Sequence, residues 1–105
     1  MILSTTHVID LPIKEYLGIV SSEVIVGANV LKDMISTIRD FVGGRVSSLE
    51  NTLRDAREEA LDSIAADATK LGANAVFGIN IDFETFGRNG TMLMVCVSGT
   101  AVVTR

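Results

Sequence analysis

The spacing of apolar and charged residues between Ser47 and Leu71 predicts the longest helix of the chain. Ser47 and Glu50 have the spacing of a capping box, and Lys70 with Gly72 supplies a cationic last turn and a glycine after it. Apolar residues recur at steps of three and four, which places them on one helix face: Leu49, Leu53, Ala56, Ala60, Ile64, Ala68 and Leu71. We expect the other elements to pack on this stripe.

A second pattern of helical period lies between Asn29, a candidate N-cap, and Val42. Gly43-Gly44 ends the pattern, and only a few residues separate it from the helix that begins at Ser47. The two segments therefore predict a pair of helices joined by a turn, rather than a helix that crosses between parallel strands. The apolar positions of this second helix are Val30, Leu31, Met34, Ile35, Ile38, Phe41 and Val42.

Three longer segments have the patterns of strands. Lys14 to Val26 is rich in β-branched residues and is interrupted by Gly18, which predicts a strand with a bulge or bend. Ala75 to Glu84 alternates apolar and polar residues as a half-buried strand does, and Asn89-Gly90 after it is a strong hairpin signal. The hairpin partner, Thr91 to Thr104, is apolar on both faces over its first half.

These patterns predict an α+β fold, in which an antiparallel or mixed sheet has a two-helix layer on one face and residues 1–105 form a single domain. The helices cover only one face of the doubly apolar strand. The composition also has an apolar excess: exchanging the single tyrosine for the nine glycines raises the apolar fraction from 48% to about 55%, against a usual ~45–50%. We therefore expect a homo-oligomer that buries this excess between subunits.

The net charge and the single cysteine indicate which partners and which cellular compartment to expect. A net charge of −4 argues against a nucleic-acid partner, because phosphate binding needs a concentrated basic face. Cys96 has no second cysteine to pair with, which fits a reducing compartment. The first residues lack a signal-peptide pattern, and the longest uncharged stretch, Asn89 to Thr104, is shorter than the ~20 residues of a membrane-spanning helix. We expect a cytoplasmic protein without a membrane span.

Segments spread over nearly the whole chain are similar to one known family. They are Ser4-Thr5-Thr6, Gly27-Ala28-Asn29, Ile38 to Arg45, Ala56-Arg57-Glu58, Leu71 to Val76, Asn89 to Val95, and Ser98 to Val102. In these segments the chain resembles the YbjQ family of small bacterial proteins, a family also labelled by inference as a heavy-metal-binding domain. The resemblance implies a dodecin-like α+β subunit and a homopentameric ring whose strands join around the centre. It implies no agreed catalytic residues, and Leu49 and Cys96 depart from the family's pattern.

The candidate metal ligands are His7, Cys96, Asp82 and Glu84. Soft metals prefer clustered thiolate and imidazole groups, several of which must lie within ~2.0–2.3 Å of the ion. The chain has one histidine and one cysteine, which could meet only across the fold or across a subunit boundary, with the carboxylates completing a mixed shell. In the alternative interpretation, which we favour, His7 is a surface residue and Cys96 a small buried hydrophobe. A divalent metal ion is therefore the one candidate cofactor, and a ring would multiply each ligand around its axis.

A second candidate site, for a small anionic ligand, is Gly43-Gly44-Arg45. Free amides before a helix and a guanidinium group both suit phosphate or carboxylate, but the segment does not follow a strand and lacks the lysine of a P-loop. We interpret it as the turn between the two helices. Glu58, Glu59 and Asp62 lie on the predicted polar face of their helix and indicate a solvated surface rather than a site.

Together these features favour a non-enzymatic oligomeric protein that binds a small ligand or a metal ion at its subunit boundaries. The chain is rich in apolar surface for assembly and poor in clusters of titratable residues, and a lone histidine limits general-base catalysis. One alternative is an enzyme whose active site forms only between subunits of the oligomer. A third interpretation is a structural module without a ligand.

Overall fold

The computed structural model describes residues 1–27, 47–88 and 92–105. These residues contain the elements β1 (Ile2–Leu3), β2 (Ile13–Val26), α1 (Ser47–Lys70), β3 (Ala75–Phe86) and β4 (Met92–Thr104). The predicted α+β class and mixed sheet are confirmed, and the three long strands and the long helix lie where the sequence patterns place them. The second predicted helix and the Asn89-Gly90 turn lie outside the described residues, so the two-helix layer stays a prediction.

The sheet has the order β1-β3-β4-β2, in which β1 runs parallel to β3 and the other pairs are antiparallel. The predicted irregularity in β2 is confirmed, because its register shifts between Tyr16 and Gly18, and Gly18 has a φ of 109°. A second shift lies in β3 between Phe77 and Asn80. The doubly apolar strand, β4, lies between β3 and β2, where both of its edges are paired.

The core lies between α1 and one face of the sheet. Leu93, Val95 and Val97 alternate along β4 on this face and are at least nine-tenths buried. Four residues of the predicted helix stripe are buried against the strands: Ala56, Ala60, Ile64 and Ala68. Because three of them are alanines, α1 can lie close to the sheet, and the burial of this stripe holds the two layers together.

The predicted stripe is wrong at its C-terminal end. Leu71 is half exposed rather than buried, because α1 ends at Lys70 and Gly72, with a φ of 91°, turns the chain away from the helix axis. Leu53 is only partly buried at the edge of the core. The structure does not describe the side chain of Leu49.

The second face of the sheet, which we call the open face, carries no helix in the part of the chain that the structure describes. Along β2 this face presents three large apolar side chains, Tyr16, Ile19 and Ile25, whose exposed fractions are 65%, 82% and 55%. The centroid of the Tyr16 ring lies 6.4 Å from that of Phe77 on β3. An apolar face of this kind is unusual for a sheet that stays in contact with water.

Asn74 joins the beginning of β3 to the end of β4. Its side-chain Oδ1 accepts hydrogen bonds from the amide and the hydroxyl of Thr104, at 2.8 and 3.2 Å, and its Nδ2 donates to the Thr104 carbonyl at 3.2 Å. Its own amide donates to the carbonyl of Val102, and its carbonyl accepts from the amide of Ile2. The Asn74 side chain thus provides hydrogen-bond partners for the last residue of β4. The Asn74 backbone connects β1 to the sheet.

Candidate functional site

Cys96 lies on the open face of the central strand, with carboxylates on both neighbouring strands. The register places it opposite Glu23 of β2 on one side and Asp82 of β3 on the other. These three residues form a row across the sheet. Met94, two residues earlier on β4, forms an adjacent row with Ile25 of β2 and Glu84 of β3. We call these two rows the acid-rimmed patch: Glu23, Ile25, Asp82, Glu84, Met94 and Cys96.

The alternation of β4 explains why sulfur atoms occupy the middle of this patch. Leu93, Val95 and Val97 face α1, so Met94 and Cys96 must face the other way, where they are half-buried by their neighbours. Glu23, Asp82 and Glu84 are exposed on the flanking strands. Since adjacent strands lie ~4.8 Å apart, about 10 Å separates the two carboxylate-bearing strands across the floor of the patch.

The surroundings of Cys96 favour the neutral thiol. Partial burial is the largest cause that raises the pKa of Cys96, and the negative charges of Glu23, Glu84 and Asp82 raise it further. The thiol is therefore protonated at neutral pH, and it is a poor nucleophile in the single chain. A cation bound between the carboxylates would reverse this effect, because it would offset their charge and favour the thiolate.

The structure brings together three of the four predicted metal ligands, and it adds one that sequence reasoning missed. Asp82, Glu84 and Cys96 lie in neighbouring rows, and Glu23 joins them from β2. The pairing of β2 with β4 is a long-range contact that no local pattern predicts, so no signal in the sequence could have placed Glu23 beside Cys96. Asp82 also accepts a hydrogen bond of 2.7 Å from Nδ2 of Asn80.

His7 lies at a different point of the sheet. Its Nδ1 is 3.6 Å from the position that a Cβ on Gly78 would occupy, beside the register shift of β3. The residues before it are held there because the Thr6 and Ser4 carbonyls accept hydrogen bonds from the amides of Gly78 and Ile79. Asp82 lies four positions after Gly78, about 13 Å along a strand. His7 therefore does not belong to the row that contains Cys96.

A complete metal shell does not form within one chain over residues 1–27, 47–88 and 92–105, where no three His, Cys, Asp or Glu side chains are arranged to hold an ion. The predicted ligand site at Gly43-Gly44-Arg45 lies outside these ranges. Glu58, Glu59 and Asp62 are exposed on α1, in agreement with their interpretation as a solvated face.

Comparisons with known proteins identify the family of this chain and a solved structure with a similar fold. The YbjQ family model, described as "Putative heavy-metal-binding", matches residues 1–105. The chain belongs to this family. The family description concerns metal binding, and it gives no reaction and no ligand residues for the YbjQ chain.

A solved structure is similar to the YbjQ chain over its whole length. It is a protein of unknown function of the DUF74 family from Pediococcus pentosaceus, with a TM-score of 0.68 and 16% sequence identity. The match covers 100% of this chain and 98% of the other. At this identity the similarity shows the fold alone.

No helix among the described residues is long and apolar enough to cross a membrane.

Proposed function

We propose that this YbjQ protein is a non-enzymatic homo-oligomer that binds a metal ion on the acid-rimmed patch, with a neighbouring copy completing the ligand shell. The observation on which this rests is the row of Glu23, Cys96 and Asp82, in which two carboxylates flank a thiol on the face of the sheet that no helix covers among the described residues. The heavy-metal-binding description of the family supports the class of ligand. The small ligand at Gly43-Gly44-Arg45 is the weaker alternative.

Three properties of the described residues support assembly. Among the described strands, β2 has a neighbour on one side only, and from Asn80 to Phe86 β3 is paired with β4 on one side and unpaired on the other. Large apolar side chains are exposed near the chain's start as well as on the open face, with Val8 at 77%. The Cα radius of gyration is 16.8 Å, against about 13 Å for a compact domain of this length. We propose the five-membered ring that the family resemblance implies.

The metal that suits this row is one that accepts both oxygen and sulfur. Carboxylates prefer hard ions and thiolates prefer soft ones, so a mixed set favours a borderline or soft divalent ion such as Zn²⁺ or Cd²⁺ without strong selectivity. The ion must also displace the thiol proton, which the neighbouring carboxylates help to retain in its absence. We therefore expect weak binding, from which dialysis against a chelator removes the metal.

The test is a calorimetric titration with Cd²⁺ of the purified protein and of the variants Cys96→Ser and Asp82→Asn. Both variants should lose about tenfold or more in affinity, because even the loss of a partner outside the ligand shell costs that much. Glu58→Gln is the matched control, since it removes one exposed carboxylate from α1 and should leave the affinity unchanged.

Light scattering on the same samples measures the assembly separately. The unmodified protein and all three variants should have the same multimeric mass, and a mass of five chains would support the ring. Equal Cd²⁺ affinity in Cys96→Ser, Asp82→Asn and the parent would contradict the proposed site. A stable single chain at micromolar concentration would contradict the proposed assembly.

A further inference from the structure

The register shift of β3 determines which of its side chains lie on the open face. Val76 and Ile79 are both buried in the core, although they lie three positions apart and strict alternation would place them on opposite faces. The register shift provides the extra residue that allows both to face α1. Beyond the shift the alternation resumes, and Asn80 and Asp82 therefore lie next to each other on the open face.

Asn80 fixes the orientation of the Asp82 carboxylate. Its side-chain Nδ2 donates a hydrogen bond of 2.7 Å to Oδ2 of Asp82. A carboxylate has two oxygens that accept, so Oδ1 can still bind an ion while Oδ2 accepts from Asn80. Among the described residues, Glu23 and Glu84 accept no such hydrogen bond. Asp82 is therefore the carboxylate of the acid-rimmed patch whose orientation is set before any ion binds.

An oriented carboxylate is the better metal ligand. An exposed aspartate rotates freely, and an ion that binds it must also restrict that rotation, which costs conformational entropy. Partners outside the ligand shell remove part of this cost, because they hold the ligand in its binding orientation beforehand. We propose that Asn80 is a positioning residue for a metal ion at the row of Glu23, Cys96 and Asp82, and that it acts by holding Asp82 without contacting the ion. This inference rests on the proposed function, because it requires a metal ion at that row.

Two other roles for Asn80 make different predictions. If its hydrogen bond served the fold, removal of the amide would lower the stability of the protein along with its metal affinity. If Asn80 were itself a ligand, its removal would weaken binding whether or not Asp82 is present. A positioning residue acts through the residue that it holds, so its removal should matter only while the Asp82 carboxylate is there. Both side chains are exposed, and this hydrogen bond should contribute little to folding.

The experiment is a double-mutant cycle measured by calorimetric titration of the purified full-length protein with Cd²⁺. The variants are Asn80→Ala, Asp82→Asn and the two changes together. Asn80→Ala should lose about tenfold in affinity, as is usual for a partner outside the ligand shell. The double variant should bind no more weakly than Asp82→Asn alone. Asn51→Ala is the matched control, because it removes an exposed amide from α1 and should leave the affinity unchanged. Urea denaturation of the metal-free proteins should give Asn80→Ala and Asn51→Ala the stability of the parent.

The outcomes separate this inference from the proposed function. Unchanged or higher Cd²⁺ affinity in Asn80→Ala, together with weaker binding in Asp82→Asn and Cys96→Ser, would overturn the positioning role and leave the metal site in place. A further loss in the double variant beyond that of Asp82→Asn would also overturn it, because Asn80 would then act independently of Asp82. A fall in the stability of Asn80→Ala that matches its loss of affinity would show a structural role instead. Equal affinity in Asp82→Asn, Cys96→Ser and the parent would contradict the metal site itself, and the positioning role with it.

Discussion

At the scale of single residues, Gly99 shows how closely β3 and β4 approach each other. It lies in β4, near the register shift of β3, and its backbone has no positive φ that would require glycine. A Cβ at this position would lie 2.7 Å from Cγ1 of Val76 and 3.0 Å from Cγ1 of Ile79. Both neighbours are buried, so neither can move away freely. Glycine is needed here for space and not for conformation.

Gly99→Ala should therefore lower the free energy of unfolding by about 1–3 kcal/mol, the usual cost of an extra methyl group in a packed core. Gly27→Ala is the matched control, because nothing lies within 4 Å of its Cβ position and its φ is not positive. It should change stability by less than about 0.5 kcal/mol. Urea denaturation at one fixed protein concentration compares the two, since assembly makes stability depend on concentration. Equal stability of both variants would mean that β3 can move far enough to make room for a methyl group at position 99.

At the scale of elements, Asn74 connects β3 to the end of β4 through the three hydrogen bonds that its side chain makes with Thr104. Thr104 is only 8% exposed, so Asn74→Ala would leave its amide and hydroxyl without this partner. We expect a loss of about 1–3 kcal/mol and earlier hydrogen exchange at the end of β4. Asn80→Ala removes an amide that donates to the exposed Asp82 and should have little effect. Comparable losses in the two variants would contradict the role of Asn74.

The elements themselves could be predicted from periodicity, and their partners could not. Steps of three and four located α1, and the alternation of β3 and the two apolar faces of β4 located the strands. The pairing of β2 with β4 depends on contacts distant in sequence, and therefore the position of Glu23 beside Cys96 was not predictable. The candidate set of Cys96, Asp82 and Glu84 came from residue chemistry. His7 was separated from it by the path of residues 4–6 along β3, which no sequence pattern indicates.

At the scale of the whole molecule, the exposed apolar surface and the unpaired strand edges of the described residues fit the homo-oligomer proposed above. In that proposal, copies meet at the open face and at the edges of β2 and β3. Burial of apolar surface depends little on ionic strength and requires no metal, whereas ion pairs weaken in salt and metal bridges dissociate with chelators. The response of the assembly to salt and to chelator therefore distinguishes apolar burial, ion pairs and metal bridges as the interaction between copies.

An assembly held by apolar burial and strand pairing should keep its mass in 1 M salt and in excess chelator, and chelation should leave its melting temperature nearly unchanged. The physical reason is that the described residues of one chain do not complete the metal shell proposed for Cys96, so the ion adds little to the free energy of folding. Multi-angle light scattering and thermal unfolding of the same sample measure both quantities. A mass that falls to 11.2 kDa in chelator would show that metal ions bridge the copies, and a fall in salt would show that ion pairs do. Either result would mean that charged groups such as the carboxylates of the open face, and not its apolar surface, supply most of the free energy of association.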